Sequence, residues 1–471
     1  MSGLMDLDAH DQARLVRDRE VSAEELVQAS IDAIEAHDGE INAVVHKRYE
    51  QALAEARVVP LDAPFAGVPT LTKSMDPLAG APHDLGSRYL AKQGRVAKAD
   101  SPLVQRLRRA GFVILGTTAA PEFGVLSTTE TAVHGITRNP WNLEHTSGGS
   151  SGGASAVVAA GMVAVASGGD GGGSIRMPAA FCQQVGLKPS LGLVPGKGSP
   201  ADRWGHSVSA VVSRTVRDTA GAIEVMADRQ HRSPRLPDFA HGDLRDAVGR
   251  DPGSLRIGVV ASAPEHAPQV EAEIRDAVVA TGELLQSLGH TVEESHPAAL
   301  FDPDVLPTFF DALSVTVGLT LENLVAETGV RPEPGDLDVV TQLWLDRSAE
   351  MTGIDLIRAL TWQEDYRQEM ARWWEEYDLL LSPVFASVVP RLSWPWTEPD
   401  GVQRSVDVLT FTAPFNTTGQ PAISVPAGTT GTGLPIGIQL AAAYGREDLL
   451  LSVAGQLEEA RPWESVAPAY R

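Results

Sequence analysis

Residues 146–176 read TSGGSSGGASAVVAAGMVAVASGGDGGGSIR, two glycine-serine clusters joined by small and branched apolar residues. The run 154–161 has the make-up of a helix with no polar face, and Met162–Ala166 that of a short buried strand. Flexible linkers do not bracket a buried helix and strand at both ends. The clusters are therefore expected on loops at sheet ends, where open α/β folds bind ligands.

The same alternation extends in both directions. Gly67–Lys73 (GVPTLTK) and Phe112–Gly116 (FVILG) read as strands around a helical Ser101–Ala110. Further on, Leu255–Val260, His290–Glu294 and Leu379–Val384 read as strands, with 270–288 helical. Residues 1–60 read as helices, with Ser22 as N-cap and Glu25 three positions later completing a capping box. Stretches 228–253 and 386–404, rich in Pro, Asp and Arg, read as loops. The expectation is an α/β fold in which helices cover both faces of a sheet, in one domain over 1–471.

Composition narrows the function. The 471 residues are 43% hydrophobic and 21% charged, a globular profile. A net charge of −23, from 38 basic and 61 acidic residues, opposes nucleic-acid binding, which needs clustered Lys and Arg. The single cysteine, Cys182, excludes an intrachain disulfide and a cysteine-based zinc site. The N-terminal segment lacks a basic stretch followed by an apolar run, and Ala156–Ala166 is too short to span a bilayer. A cytoplasmic location without membrane contact is the expectation.

A glycine run ending in a hydroxyl suits acyl chemistry. Successive backbone N–H groups of Gly171, Gly172, Gly173 and Ser174 can converge on a developing oxyanion beside a candidate nucleophile. A phosphate loop would need Gly-Lys-Ser/Thr after a cluster, and none follows. Gly148-Gly149-Ser150-Ser151-Gly152 fits a G-x-S-x-G nucleophile elbow, but that fold needs a late histidine. All twelve histidines lie at or before His296. Ser-x-x-Lys is also absent, so a lysine elsewhere becomes the natural candidate base. Cys182, in an apolar run, reads as inert core.

Several longer motifs occur together in order: GVPTLTK (67–73), TRNPWN (137–142), GGSSGG (148–153), DGGGSIRMP (170–178), GLKP (186–189), FTAPFNTTGQPAISVP (411–426) and GLPIGIQL (433–440). In these segments, through nearly its whole length, the chain resembles the amidase signature family. The resemblance implies a large mixed, twisted sheet and a cofactor-free hydrolase that cuts amide C–N bonds. It implies Lys73 as catalytic base, Ser150 as relay behind a cis peptide, and Ser174 as nucleophile. Gly171, Gly172 and Gly173 match its oxyanion loop, and Ser151, Asp170 and Arg176 its supporting hydrogen-bond positions.

Substrate is less legible. Members acting on glutaminyl transfer-RNA intermediates differ at Met177 and Leu191, which disfavours an amidotransferase subunit. Tyr444–Leu451 adds to a likeness with bacterial members acting on xenobiotic amides, including aminohexanoate-oligomer hydrolases and urethane-cleaving enzymes. The expected partner is a small aryl or aliphatic amide, with a carbamate as alternative; no metal or cofactor is implied, and a homodimer is admitted. A partner-dependent binding subunit is the competing class, distinguished by lack of activity alone. Gly124, Val125, Leu126, Trp204 and the stretch 305–350, with Phe309, Phe310 and Trp344, are the expected pocket.

Overall fold

Strand–helix alternation builds an eleven-stranded mixed sheet, seen in a computed structural model that describes residues 3–196, 206–228, 242–397 and 400–471. The strands are β1 (Val44–Lys47), β2 (Pro69–Lys73), β3 (Val113–Thr118), β4 (Val165–Asp170), β5 (Val185–Lys188), β6 (Val208–Ser213), β7 (Arg256–Val259), β8 (Thr291–Glu294), β9 (Leu379–Pro383), β10 (Ala422–Thr429) and β11 (Pro435–Ala442). Their order is β1-β3-β2-β4-β6-β5-β10-β11-β9-β7-β8. Pairs β2–β3, β2–β4, β7–β8 and β7–β9 are parallel, and the rest antiparallel.

Ten helices matter to the argument: α1 (Ala9–Arg17), α2 (Ala23–Ile41), α3 (Pro102–Arg109), α4 (Gly152–Ala159), α5 (Arg176–Phe181), α6 (Ala272–Ser287), α7 (Val305–Thr328), α8 (Val339–Glu350), α9 (Gly353–Trp373) and α10 (Ala413–Thr417). Local chemistry sets their ends. Ser22 and Glu25 form the expected capping box on α2, and Ser101 caps α3 with Pro102 in its first turn.

Alternate residues of a strand feed different cores. Leu379 and Leu381 pack in the cluster that takes Ile274, Val278 and Leu285 of α6. Leu380 packs with Tyr366 and Met370 of α9. Helices thus flank the sheet on both faces, each strand being read twice. Every residue of α4 is buried, which explains its lack of a polar stripe.

The structure differs from the sequence reading in four stretches. Within 1–60, Val44–Lys47 is a strand, because it pairs with the free edge of β3. The strand expected at Met162–Ala166 begins at Val165 and runs to Asp170, so Gly168 and Gly169 are sheet residues. They pair with Ala210 and Ser209 of β6, and a Cβ on Gly168 would come within 3.1 Å of Ile175 and 3.2 Å of Ser151 Oγ. Stretch 386–404 contains the helical turn Trp394–Thr397 and the start of helix Gly401–Asp407. Residues 229–241 of the other expected loop lie outside the described residues, and the described remainder carries the 3₁₀ turn Leu244–Ala247.

Among the described residues α7 is the helix long and apolar enough to cross a membrane by length and composition. It packs against α8, α9 and α10. Ala156–Ala166, by contrast, divides between α4 and the approach to β4.

Candidate active site

Lys73 ends β2, where the apolar strand carries it inward to 2% exposure. Its backbone N–H donates to Ser167 Oγ at 2.9 Å, which anchors the strand end to β4. Its Nζ lies 2.7 Å from Ser150 Oγ and 3.0 Å from Ser151 Oγ. Both serines are buried in the loop that precedes α4. The Gly149–Ser150 peptide is cis. Only glycine fits at 149, since a Cβ there would stand 2.6 Å from Thr128 N and 2.7 Å from Leu126 O.

Ser151 has a determined hydrogen-bond sense. Its Oγ donates to Gly169 O at 3.1 Å and accepts from Gly169 N–H at 3.2 Å. With its own proton given to a carbonyl, Ser151 can only accept from the Lys73 amine. A backbone bond from Ser151 N–H to Ser174 O, 3.2 Å long, ties the first glycine-serine loop to the second.

Ser174 follows β4 and precedes α5. Gly171, Gly172 and Ser174 line a narrow cavity of about 80 Å³, together with Gly124, Val125 and Leu126. Gly124 lies against Ser150, whose Oγ would be 3.4 Å from a Cβ at that position. Phe309 and Phe310 of α7 and Trp344 of α8 close another wall, with the Phe310 and Trp344 rings stacked at 4.7 Å. No charged side chain lines this cavity among the described residues. Trp204 lies outside the described residues. A larger hollow of about 390 Å³, walled by Phe301, Leu306 and Asp407, holds none of the serines, so size does not mark the site.

Gly173 departs from the sequence expectation. Its N–H donates to Asp170 Oδ1 at 2.8 Å, and Gly173 does not line the cavity. Gly171, Gly172 and Ser174 are the residues of that loop that line it.

Beneath the loop lies a buried ionic core. Arg176 holds both Asp170 oxygens at 3.0 Å, and both side chains are fully buried. Burial alone would raise the Asp170 carboxyl, but the Arg176 charge and hydrogen bonds, with the Asn416 amide, hold it well below the usual carboxylate range. Arg176 also donates to Gln439 Oε1 at 2.8 Å and Thr412 O at 3.0 Å. Thr412, Asn416 and Gln439 were not singled out from sequence. The available signal was polar side chains set in apolar strand and helix segments, which must find partners when buried.

Cys182 is fully buried, and burial pushes its thiol up, away from the reactive thiolate.

The structure thus brings two buried hydroxyls onto a lysine amine near an apolar cavity that Ser174 lines and, among the described residues, no histidine does. The amidase family matches residues 25–451, so the chain belongs to the amidase signature family, hydrolases acting on amide C–N bonds. It is 37% identical to a 6-aminohexanoate-cyclic-dimer hydrolase of Paenarthrobacter ureafaciens, over 98% of this chain and 96% of that one. A solved structure of a 6-aminohexanoate cyclic dimer hydrolase complexed with substrate superposes with a TM-score of 0.94 at 36% identity, covering 99% of this chain and all of that one. A bacterial aryl acylamidase structure gives a TM-score of 0.88 at 28% identity, over 97% and 96% of the two chains.

Proposed function

We propose that this amidase hydrolyses amides with a neutral, apolar acyl group, using Ser174 as nucleophile, Ser150 as proton relay and Lys73 as base. The observation that carries the reading is the 2.7 Å contact of the buried Lys73 Nζ with Ser150 Oγ, beside a cavity that Ser174 lines.

The base must be an uncharged amine. It gives one N–H to Ser151, whose own proton is committed to Gly169, and keeps its lone pair for the Ser150 hydroxyl. Ser150 passes its proton to Lys73 and takes the proton of Ser174, whose Oγ attacks the substrate carbonyl. Negative charge on the carbonyl oxygen is met by the free amides of the glycine loop. Collapse expels the amine, protonated back through Ser150, and leaves an acyl-enzyme that water hydrolyses by the same relay. Asp170 and Arg176 hold the loop and take no part in proton transfer.

Apolar walls of Phe309, Phe310 and Trp344, without a charge, support a hydrophobic aliphatic or aryl acyl group over an ionic one. The similarity to cyclic-dimer hydrolases supports aliphatic amides in particular. Packing of α1 and α2 into the cores of the same sheet supports reading the chain as a single amidase domain.

Purified protein is to be screened against the 6-aminohexanoate cyclic dimer, linear aliphatic amides, anilides and aryl carbamates. Turnover of a neutral aliphatic or aryl amide, exceeding that of analogues with a charged acyl chain, is expected. Turnover confined to carbamates or to charged acyl groups would contradict the assignment.

A further inference from the structure

The peptides of the 170–174 loop are fastened from behind by residues about 240 positions away in the chain. Thr412 Oγ1 donates to Gly172 O at 2.5 Å, while Gly173 N–H donates to Asp170 Oδ1. Carbonyl and N–H of one trans peptide point in opposite directions in a single plane. The Gly172–Gly173 peptide is therefore held at both ends. Two peptides back, Asp170–Gly171 is held by its carbonyl, which accepts from Asn416 Nδ2 at 3.1 Å. The Gly173–Ser174 peptide is held likewise by Met177 N–H, 2.8 Å from Gly173 O. With those carbonyls bound on the protein side, planarity turns the Gly171 and Ser174 N–H groups the other way, and both residues line the cavity.

We infer that Thr412 and Asn416 are positioning residues that aim the oxyanion donors, and that the Gly173 amide serves as a structural tie. The inference rests on Ser174 being the nucleophile. Thr412 is fully buried, and Gly172, whose carbonyl it serves, is buried too. Its side chain also fills the space beside Gly173, where a Cβ would stand 2.5 Å from Thr412 Oγ1 at a φ of +137°. Asn416 couples the loop to its ionic core, donating to Asp170 Oδ1 at 2.9 Å and accepting from Arg176. Removing the Thr412 hydroxyl frees the Gly172–Gly173 peptide to tilt about its remaining anchor. The flanking donors then lose alignment with the tetrahedral intermediate, while substrate contacts in the cavity persist.

The test compares Thr412→Val and Thr412→Ser with wild type. The readouts are kcat and KM on the best amide, and inhibition by an aliphatic aldehyde, whose carbonyl adds the Ser174 oxygen to form a hemiacetal. For Thr412→Val a fall in kcat of about 10–100-fold is expected, smaller than or equal to loss of a whole donor. KM should stay within about threefold, the aldehyde should weaken in step with kcat, and Thr412→Ser should restore most of both. Should Thr412→Val fail to fold, Thr412→Ala against Thr412→Ser makes the same comparison. Wild-type kcat and aldehyde affinity in the valine or alanine variant, or no recovery with serine, overturns the positioning role alone. Wild type that is untouched by aldehydes overturns the Ser174 assignment and this inference with it.

Discussion

At the scale of single residues, the site depends on where three hydroxyl and amine protons go. Ser151 gives its proton to Gly169 O, and the relay proposed above runs from the Lys73 amine through Ser150. Lys73→Ala and Ser150→Ala should each lower kcat/KM by about 10²–10⁴-fold, the range that a positioned proton-transfer group contributes. Circular dichroism and thermal melting should show both variants folded. An alanine variant that keeps wild-type activity would remove its residue from the mechanism. The glycine clusters drew attention to Ser150 and Ser174, while the relay role proposed for Ser150 came from the family resemblance. The role proposed for Lys73 came through family resemblance as well, as no local pattern separates a buried basic lysine from a surface one. The committed Gly173 amide was illegible, since a backbone N–H has no sequence signature of its direction.

At the scale of elements, strands with clear flanking turns were readable: β2, β3, β7, β8 and β9 fall within two residues of expectation. Strands β1, β5, β6, β10 and β11 were not read as strands. Several lie at the sheet centre, buried on both faces, so they show no alternation to recognise. The pocket wall is an element-level feature too. Phe309 projects from α7 over the glycine loop, where its Cζ would be 3.1 Å from a Cβ on Gly172. His206 stacks behind it at 4.9 Å and is held by Gln363 of α9 at 3.0 Å. Phe309→Ala should cost about 3–5 kcal/mol of stability. It should also shift kcat/KM toward bulkier acyl groups when a homologous amide series is assayed. An unchanged rank order across the series would remove Phe309 from the acyl pocket.

At the scale of the whole molecule, burial of titratable groups makes stability depend on pH. Burial pushes His206 down to about 4, so it is neutral in the folded protein at neutral pH. An unfolded histidine titrates near about 6.5. Between those values the unfolded chain binds the extra proton, so stability falls as pH drops from about 6.5 toward 4. His206→Phe should flatten that part of the curve, by up to about 3 kcal/mol across the window. Urea unfolding at pH 7 and pH 4.5 reads the difference, and an unaltered pH slope in the variant would contradict it. The overall α/β architecture was legible because it follows from alternation summed over the chain. The association of α10 with the glycine loop was not, because contacts between residues about 240 positions apart leave no periodic trace.

The most direct measurement treats the folded protein with a fluorophosphonate and maps the adduct by peptide mass spectrometry. The account predicts one adduct, on Ser174, forming far more slowly in Lys73→Ala and Ser150→Ala. An adduct on Ser150 or another residue, or labelling of Ser174 at the wild-type rate in both variants, would contradict a lysine-driven relay to that hydroxyl.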